Sequence, residues 1–131
     1  MNKEKKTVLI ADDDVDYLEQ LKFHVENFGF ETITAGNEEE CEEAMKAEKP
    51  DLAIFDLMMN NDDSGFILSY KMKKMYPDVP ILIVTSAASV TGINFDSEKD
   101  SETSWIKADR YLPKGIRPDQ LHREINKLLK L

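Results

Sequence analysis

The 131-residue chain has one cysteine, no long apolar run and fewer basic than acidic residues, and each of these features argues against a class of protein. Its single cysteine, Cys41, excludes an intramolecular disulfide and a metal site built from several cysteines. The longest apolar runs, such as residues 81–84, are too short to span a bilayer. Basic residues are outnumbered, 17 Lys and Arg against 26 Asp and Glu, for a formal net charge of −9. This charge argues against nucleic acid or an anionic membrane surface as the main partner.

What the chain does contain is typical of one soluble globular domain. Hydrophobic residues make up 41% and charged residues 33%, which separates it from disordered chains. We expect a single domain over residues 1–131, with a flexible segment at 1–6 and no second, output domain. The first residues have no apolar region of signal-peptide length, so we also expect a cytoplasmic protein.

Apolar patterning predicts strands that alternate with helices. Short apolar and β-branched runs predict strands at 7–11, 31–35, 52–55, 81–84 and 110–112. Helical spacing predicts helices at 15–28, 38–48 and 66–76 and from about 118 onward. Residues 86–108 are polar and give no clear pattern. The alternation predicts a doubly wound α/β fold, a parallel sheet with helices on both faces.

The conspicuous polar residues all follow strands. Asp12 and Asp13 come after the first strand, Asp56 after the third, Thr85 after the fourth and Lys114 after the fifth. Ligands of open parallel sheets bind at the carboxyl ends of the strands, so these residues are expected at one edge. Neighbouring carboxylates repel by roughly 4 kcal/mol at 4 Å and an effective dielectric of 20. A bound cation would explain why acids cluster behind a buried strand.

Four fragments at these strand ends resemble the receiver domain of two-component response regulators. They are ADDD at 11–14, FDLMM at 55–59, IVTS at 83–86 and YLPK at 111–114, in the family's order. The resemblance covers essentially the whole chain. It implies a flavodoxin-like five-stranded sheet of order 2-1-3-4-5, in a signalling domain rather than an enzyme. Such a domain takes a phosphoryl group from a histidine kinase onto an aspartate.

The resemblance also implies the metal site and the phosphoacceptor. Asp56 would be the phosphoacceptor, because an ionised carboxylate can attack phosphorus and form an acyl phosphate. Mg²⁺, a hard cation that prefers oxygen ligands, would be bound by Asp13, Asp56 and the backbone carbonyl of Met58. Asp12 would act on the metal largely through water. Asp14 has no such role in the family, and we expect it to cap the following helix.

Three further residues receive roles from the same resemblance. Lys114 and Thr85 would contact phosphoryl oxygens, and Thr85 with Tyr111 would form the switch that reports phosphorylation. The implied partners are a sensor histidine kinase or a histidine phosphotransfer protein, together with a downstream protein target. A homodimer is left open.

The chain departs from the common receiver pattern in three places. Gly115 follows Lys114 where proline is usual, and a cis bond without proline costs about 3 kcal/mol, so the geometry of this turn is left open. The loop after Asp56 lacks the usual proline at position 60 and is one residue longer, ending at Gly65. The segment from Thr85 to Lys114 is long, and residues 91–100 form helices poorly. We therefore expect a short or displaced fourth helix there.

Two other functions remain open on sequence grounds. A degenerate receiver would keep the fold and bind partners without being phosphorylated. A haloacid dehalogenase-like phosphohydrolase would use Asp12 as its nucleophile, because Asp12-Asp13-Asp14 fits that class's Asp-x-Asp motif. The latter would leave Asp56 without a role and lacks a later acidic pair for the metal.

Overall fold

A computed structural model describes residues 5–61, 63–86 and 108–131. Within these ranges there are five strands and four helices. The strands are β1 (Thr7–Ala11), β2 (Glu31–Ala35), β3 (Leu52–Asp56), β4 (Ile81–Thr85) and β5 (Arg110–Pro113). The helices are α1 (Val15–Asn27), α2 (Glu38–Ala47), α3 (Ser64–Met75) and α4 (Pro118–Leu129).

The five strands form one parallel sheet in the order β2-β1-β3-β4-β5. This confirms the predicted doubly wound, flavodoxin-like arrangement. The register pairs Ala11 with Phe55 and Thr85 with Pro113, so the residues that follow these strands emerge side by side. Strand order reverses beside β1, which is where sheets of this kind bind ligands.

The sheet separates two hydrophobic cores, because successive residues of a strand point to opposite faces. Val8 and Ile10 of β1 pack with buried residues of α1 and α4, which include Leu18, Leu21, Val25, Leu121 and Ile125. Leu9 packs on the other face with buried residues of α2 and α3, which include Cys41, Met45, Leu68 and Met72. Every residue of β1, β3 and β4 is buried, as their continuous apolar sequences indicate.

Local sequence signals fix several helix ends. The side chain of Asp14 accepts hydrogen bonds from the backbone N–H groups of Asp16 (3.1 Å) and Tyr17 (3.2 Å), which confirms the predicted cap of α1. Asn37 caps α2 in the same manner. Gly29, just beyond α1, has φ +102°, a conformation that costs glycine little.

Helix α3 differs from its prediction, since it begins at Ser64 rather than Phe66. The reason is a close contact with β3 that local sequence does not reveal. A Cβ on Gly65 would lie 2.8 Å from the Asp56 carbonyl oxygen, and the Gly65 N–H donates to the Leu57 carbonyl at 2.7 Å. Packing against the end of β3 therefore adds two residues to the start of the helix.

Two other expectations concern the segment after β4 and the turn after β5. The short or displaced fourth helix was expected near residues 91–100, which lie outside the described residues. The peptide between Lys114 and Gly115 is trans, like the others in the described ranges. Among the helices of these ranges, none is long and apolar enough to cross a membrane.

Candidate functional site

Three carboxylates meet at the carboxyl edge of the sheet. Oxygen atoms of Asp12, Asp13 and Asp56 all lie within 4.8 Å of one another. Asp12 and Asp56 are buried, with exposed fractions of 1% and 4%, whereas Asp13 faces solvent. The structure therefore brings together acids from β3 and from the turn that follows β1.

Backbone contacts hold Asp12 in a fixed orientation. Its N–H donates to the carbonyl of Ala35 at 3.1 Å, and its Oδ1 accepts from the N–H of Asp14 at 2.8 Å. The buried Oδ2 accepts no hydrogen bond within the described ranges. That oxygen instead faces the ammonium of Lys114, whose Nζ lies 3.0 Å away.

Lys114 provides the positive charge of the site. Its Nζ lies 3.0 Å from Oδ2 of Asp12, an ion pair without hydrogen-bond alignment, and 3.4 Å from Oδ1 of Asp56. The backbone N–H of Lys114 donates to the Thr85 carbonyl at 2.8 Å, which ties the turn after β5 to the end of β4. Among the described residues, one ammonium therefore contacts two of the three carboxylates, and acidic side chains outnumber basic ones in the cluster.

The similarity of this chain to known proteins identifies the domain. The sequence pattern of the family described as "Response regulator receiver domain" matches residues 8–126, nearly the whole chain. The chain belongs to this family. The receiver resemblance seen in the four strand-end fragments is thereby confirmed.

Similar proteins agree with this assignment. The receiver domain is 32% identical over 128 residues to the transcriptional regulatory protein YvrH of Bacillus subtilis, covering 97% of this chain and 50% of that protein. It is 26% identical to a CheY-like receiver domain protein of Methanospirillum hungatei, with a TM-score of 0.80 over 97% of this chain and 95% of that one. The chain spans about half the length of the curated relatives it matches.

A further solved structure bears on the metal. The response regulator TrrA of Thermotoga maritima, in complex with Mg²⁺ and BeF, is 26% identical, with a TM-score of 0.74. The match covers 94% of this chain and 98% of the TrrA chain. Receiver domains are typically signalling phosphoacceptors rather than enzymes, and their general class of partner is a histidine kinase.

The acidic cluster of this receiver domain fits a magnesium ion. Mg²⁺ prefers oxygen ligands and is usually bound by one or two carboxylates together with water. The three acids offer only oxygen ligands, which lie within 4.8 Å of one another, and Asp13 is open to water. A divalent cation would reduce the repulsion between the acids. The donor set therefore suits the metal that the receiver resemblance implies.

Burial and repulsion change the protonation of Asp56. Burial, followed by the charge of Asp12, raises the pKa of Asp56 from 3.8 to about 7, although Lys114 opposes the rise. Burial lowers the pKa of Lys114, but the neighbouring carboxylates of Asp12 and Asp56 raise it by more, so the net pKa is raised. The ammonium is therefore firmly charged, whereas ionised Asp56 needs additional positive charge for stability.

The switch residues predicted from the resemblance lie on β4 and β5. Thr85 ends β4 and is buried with 1% exposure, in register with Pro113 of β5. Tyr111 is half-buried, and its ring lies 6.2 Å from the ring of Phe66 on α3 in an edge-to-face arrangement. Thr85 is thus at the site edge, while Tyr111 packs between β5 and α3. Their roles as a switch stay predictions.

The loop after β3 is fastened to α2 by contacts that sequence reasoning missed. The carboxylate of Glu38 accepts hydrogen bonds from Ser64 Oγ and from Asn61 Nδ2, the latter at 3.0 Å. The Glu38 N–H donates to Asn60 Oδ1 at 2.9 Å. Met58 of this loop is exposed, and the metal role of its carbonyl stays a prediction. The run Asn60-Asn61 suggested a loop but not its partner on another helix.

A second missed residue is Tyr17, on the first turn of α1. Its ring centroid lies 4.9 Å from Nζ of Lys114. In the sequence, an aromatic residue at this position is typical of the apolar face of a helix. The only available signal was its place one turn after the paired acids Asp12 and Asp13.

Proposed function

We propose that this receiver domain accepts a phosphoryl group on Asp56 from a phosphohistidine of a sensor histidine kinase or a histidine phosphotransfer protein. The observation that carries the proposal is the position of Asp56. Its buried carboxylate lies within 4.8 Å of two other carboxylates and 3.4 Å from a lysine ammonium. This setting places repelling carboxylates together and provides a cation beside them. An acid with a purely structural role has no need of such an arrangement.

The transfer balances as a simple displacement. A carboxylate oxygen of Asp56 forms a bond to phosphorus, the bond between phosphorus and the histidine nitrogen breaks, and its electron pair stays on the imidazole. Lys114, held 3.0 Å from Asp12 and 3.4 Å from Asp56, offsets the charge gathered on the phosphoryl oxygens. Thr85, at the adjacent strand end, donates its hydroxyl to one of them.

Magnesium would be held by the side chains of Asp13 and Asp56 and the carbonyl of Met58, with Asp12 acting largely through water. When bound, the ion supplies positive charge that lets an anionic donor approach an anionic acceptor. The residues of this chain do the remaining work. Asp12 keeps Lys114 in place, and the hydrogen bonds of Glu38 hold the loop that carries Met58.

Phosphorylation would then change the surface that partners contact. We infer that Thr85 moves toward the phosphoryl group and that Tyr111 repacks behind it, altering the face formed by β4 and β5. Tyr111 already packs against Phe66, so a change of its rotamer also affects α3. A downstream protein target would read this change. That the receiver domain acts without an output domain stays a prediction. Measuring the size of the protein in cell extracts tests it.

The experiment uses acetyl phosphate, which transfers its phosphoryl group without a kinase. Wild-type protein is incubated with acetyl phosphate and Mg²⁺, and the phosphoprotein is measured by intact-mass spectrometry. We expect labelling of the wild type, none when EDTA removes the metal, and none in Asp56→Asn. The matched control is Asp16→Asn, which removes an exposed carboxylate of the same acidic stretch and should label normally.

Other outcomes separate the competing functions. An unlabelled wild type, with both acetyl phosphate and a phosphorylated histidine donor, would favour a degenerate receiver that only binds partners. Retained labelling in Asp56→Asn would overturn the assignment of the acceptor. Labelling that Asp12→Asn alone abolished would favour the haloacid dehalogenase-like alternative.

A further inference from the structure

The aromatic ring of Tyr17 lies over the lysine of the site. Nζ of Lys114 is 4.9 Å from the centre of this ring, within the range of a cation–π interaction. The same nitrogen lies 3.0 Å from Asp12 and 3.4 Å from Asp56. Within the described part of the chain, the ammonium therefore lies beside two carboxylates and the face of one ring.

Local structure explains why Tyr17 reaches this position. Asp14 caps α1 and accepts a hydrogen bond from the Tyr17 N–H at 3.2 Å, while its own N–H is bound to Asp12. The turn that begins with Asp12 therefore places Tyr17 one helical turn later, on the side that faces the site. The ring is half-buried and also packs against the core between α1 and α4.

The backbone after Lys114 does little to restrict the orientation of the Lys114 side chain. Gly115 is exposed, and a Cβ added to it would meet no atom within 4 Å. The N–H of Lys114 is fixed to Thr85, but the four-carbon stem of a lysine has many rotamers. The position of the ammonium therefore depends mainly on the groups around Nζ.

We propose that Tyr17 is a positioning residue for phosphoryl transfer, its ring face holding the Lys114 ammonium between Asp12 and Asp56. The two carboxylates attract the ammonium, and the ring face adds a third attractive contact. Lys114 keeps 24% of its side chain exposed, so this restraint acts where water would otherwise compete. The proposal rests on the proposed function, in which Lys114 contacts the phosphoryl group.

Burial, with the charges of Asp12 and Asp56 adding to it, raises the pKa of Tyr17 to about 12, so its hydroxyl stays neutral. A neutral phenol ring keeps the negative face that attracts a cation. The contribution to the reaction therefore comes from the ring rather than from a phenolate.

The first test compares rates of phosphorylation by acetyl phosphate at a fixed Mg²⁺ concentration. Tyr17→Leu keeps an apolar side chain but removes the ring, and we expect about a fivefold lower rate, on the order of 1 kcal/mol. Tyr17→Phe should restore most of that loss. The matched control is Tyr70→Leu, which removes a similar ring 5.4 Å from Lys74, and its rate should equal that of the wild type.

A graded series separates electrostatic attraction from packing. Phenylalanine analogues with an increasing number of ring fluorines, placed at position 17, keep the ring shape while weakening its negative face. We expect the rate to fall stepwise with fluorination, because the cation–π attraction falls with it. Equal rates across the fluorinated series, or in Tyr17→Leu, would overturn the proposal.

A second measurement does not depend on phosphorylation. Protons on the carbon next to Nζ of Lys114 should show an upfield ring-current shift in NMR spectra of the wild type, and Tyr17→Leu should abolish it. An unshifted wild-type signal would overturn the contact itself. If the wild type shows the shift but takes no phosphoryl group, the proposed function fails while the contact stands. If the wild type is labelled and Tyr17→Leu is labelled equally fast, only the positioning role fails.

Discussion

Replacing the central carboxylate should make the metal-free protein more stable. Asp56 is 4% exposed and lies beside Asp12 and Asp13, so its pKa rises from 3.8 to about 7. A pKa difference of this size, at about 1.4 kcal/mol per pH unit, means that ionising Asp56 at neutral pH destabilises the folded state by on the order of 4 kcal/mol. The change Asp56→Asn keeps the shape of the side chain and removes the charge. We expect the free energy of unfolding to rise by roughly 2–4 kcal/mol.

The pH dependence of this effect has a definite sign. A carboxyl whose pKa is raised in the folded state binds its proton more tightly there than in the unfolded chain. Its contribution therefore lowers the stability of the wild type as pH rises from about 4 to about 7. The stability difference between the variant and the wild type should be small near pH 4 and reach its full size above pH 7.

The assay is urea unfolding followed by circular dichroism, in EDTA and again in millimolar Mg²⁺. Magnesium should stabilise the wild type and have much less effect on the variant, so that the two curves approach each other. A variant less stable than the wild type in EDTA at neutral pH would refute the reasoning. So would a stability difference that grew on acidification.

Three further predictions concern the stability of the fold and the burial of its core. Gly65→Ala should lower the free energy of unfolding by about 1–3 kcal/mol in denaturant titrations, because its Cβ would lie 2.8 Å from the Asp56 carbonyl oxygen. Gly115→Ala should change the free energy of unfolding little, because a Cβ there would meet no atom within 4 Å. Asp14→Ala should cost about 1 kcal/mol in the same assay through loss of the cap, and Asp14→Asn should not. Burial raises the pKa of Cys41 to about 12, so iodoacetamide at pH 8 should alkylate it only after unfolding; rapid reaction of the folded protein would contradict this placement.

The sequence predicted those features that depend on neighbours in the chain. Apolar runs located β1 and β3, and the single polar residue Asp14 marked the start of α1, because caps act within one turn. The meeting of Asp12 with Asp56 also followed, since parallel strands bring their carboxyl ends to one edge. Here periodicity and topology were sufficient.

Features that depend on distant side chains were not predictable in this way. Helix α3 begins early because Gly65 packs on the end of β3, a contact that no local pattern specifies. The bond between Glu38 and Ser64 joins α2 to α3, and the ring of Tyr17 meets Lys114 from the opposite end of the chain. Each pair requires the three-dimensional arrangement to be known first.

The central claim is that Asp56 carries the phosphoryl group, and chemical trapping tests it most directly. Protein treated with acetyl phosphate and Mg²⁺ is reduced with borohydride, which converts an aspartyl phosphate to homoserine, and its peptides are sequenced by mass spectrometry. The account predicts homoserine at position 56 alone, dependent on both the phosphoryl donor and the metal. Homoserine at position 12 or 13, with none at 56, would contradict it.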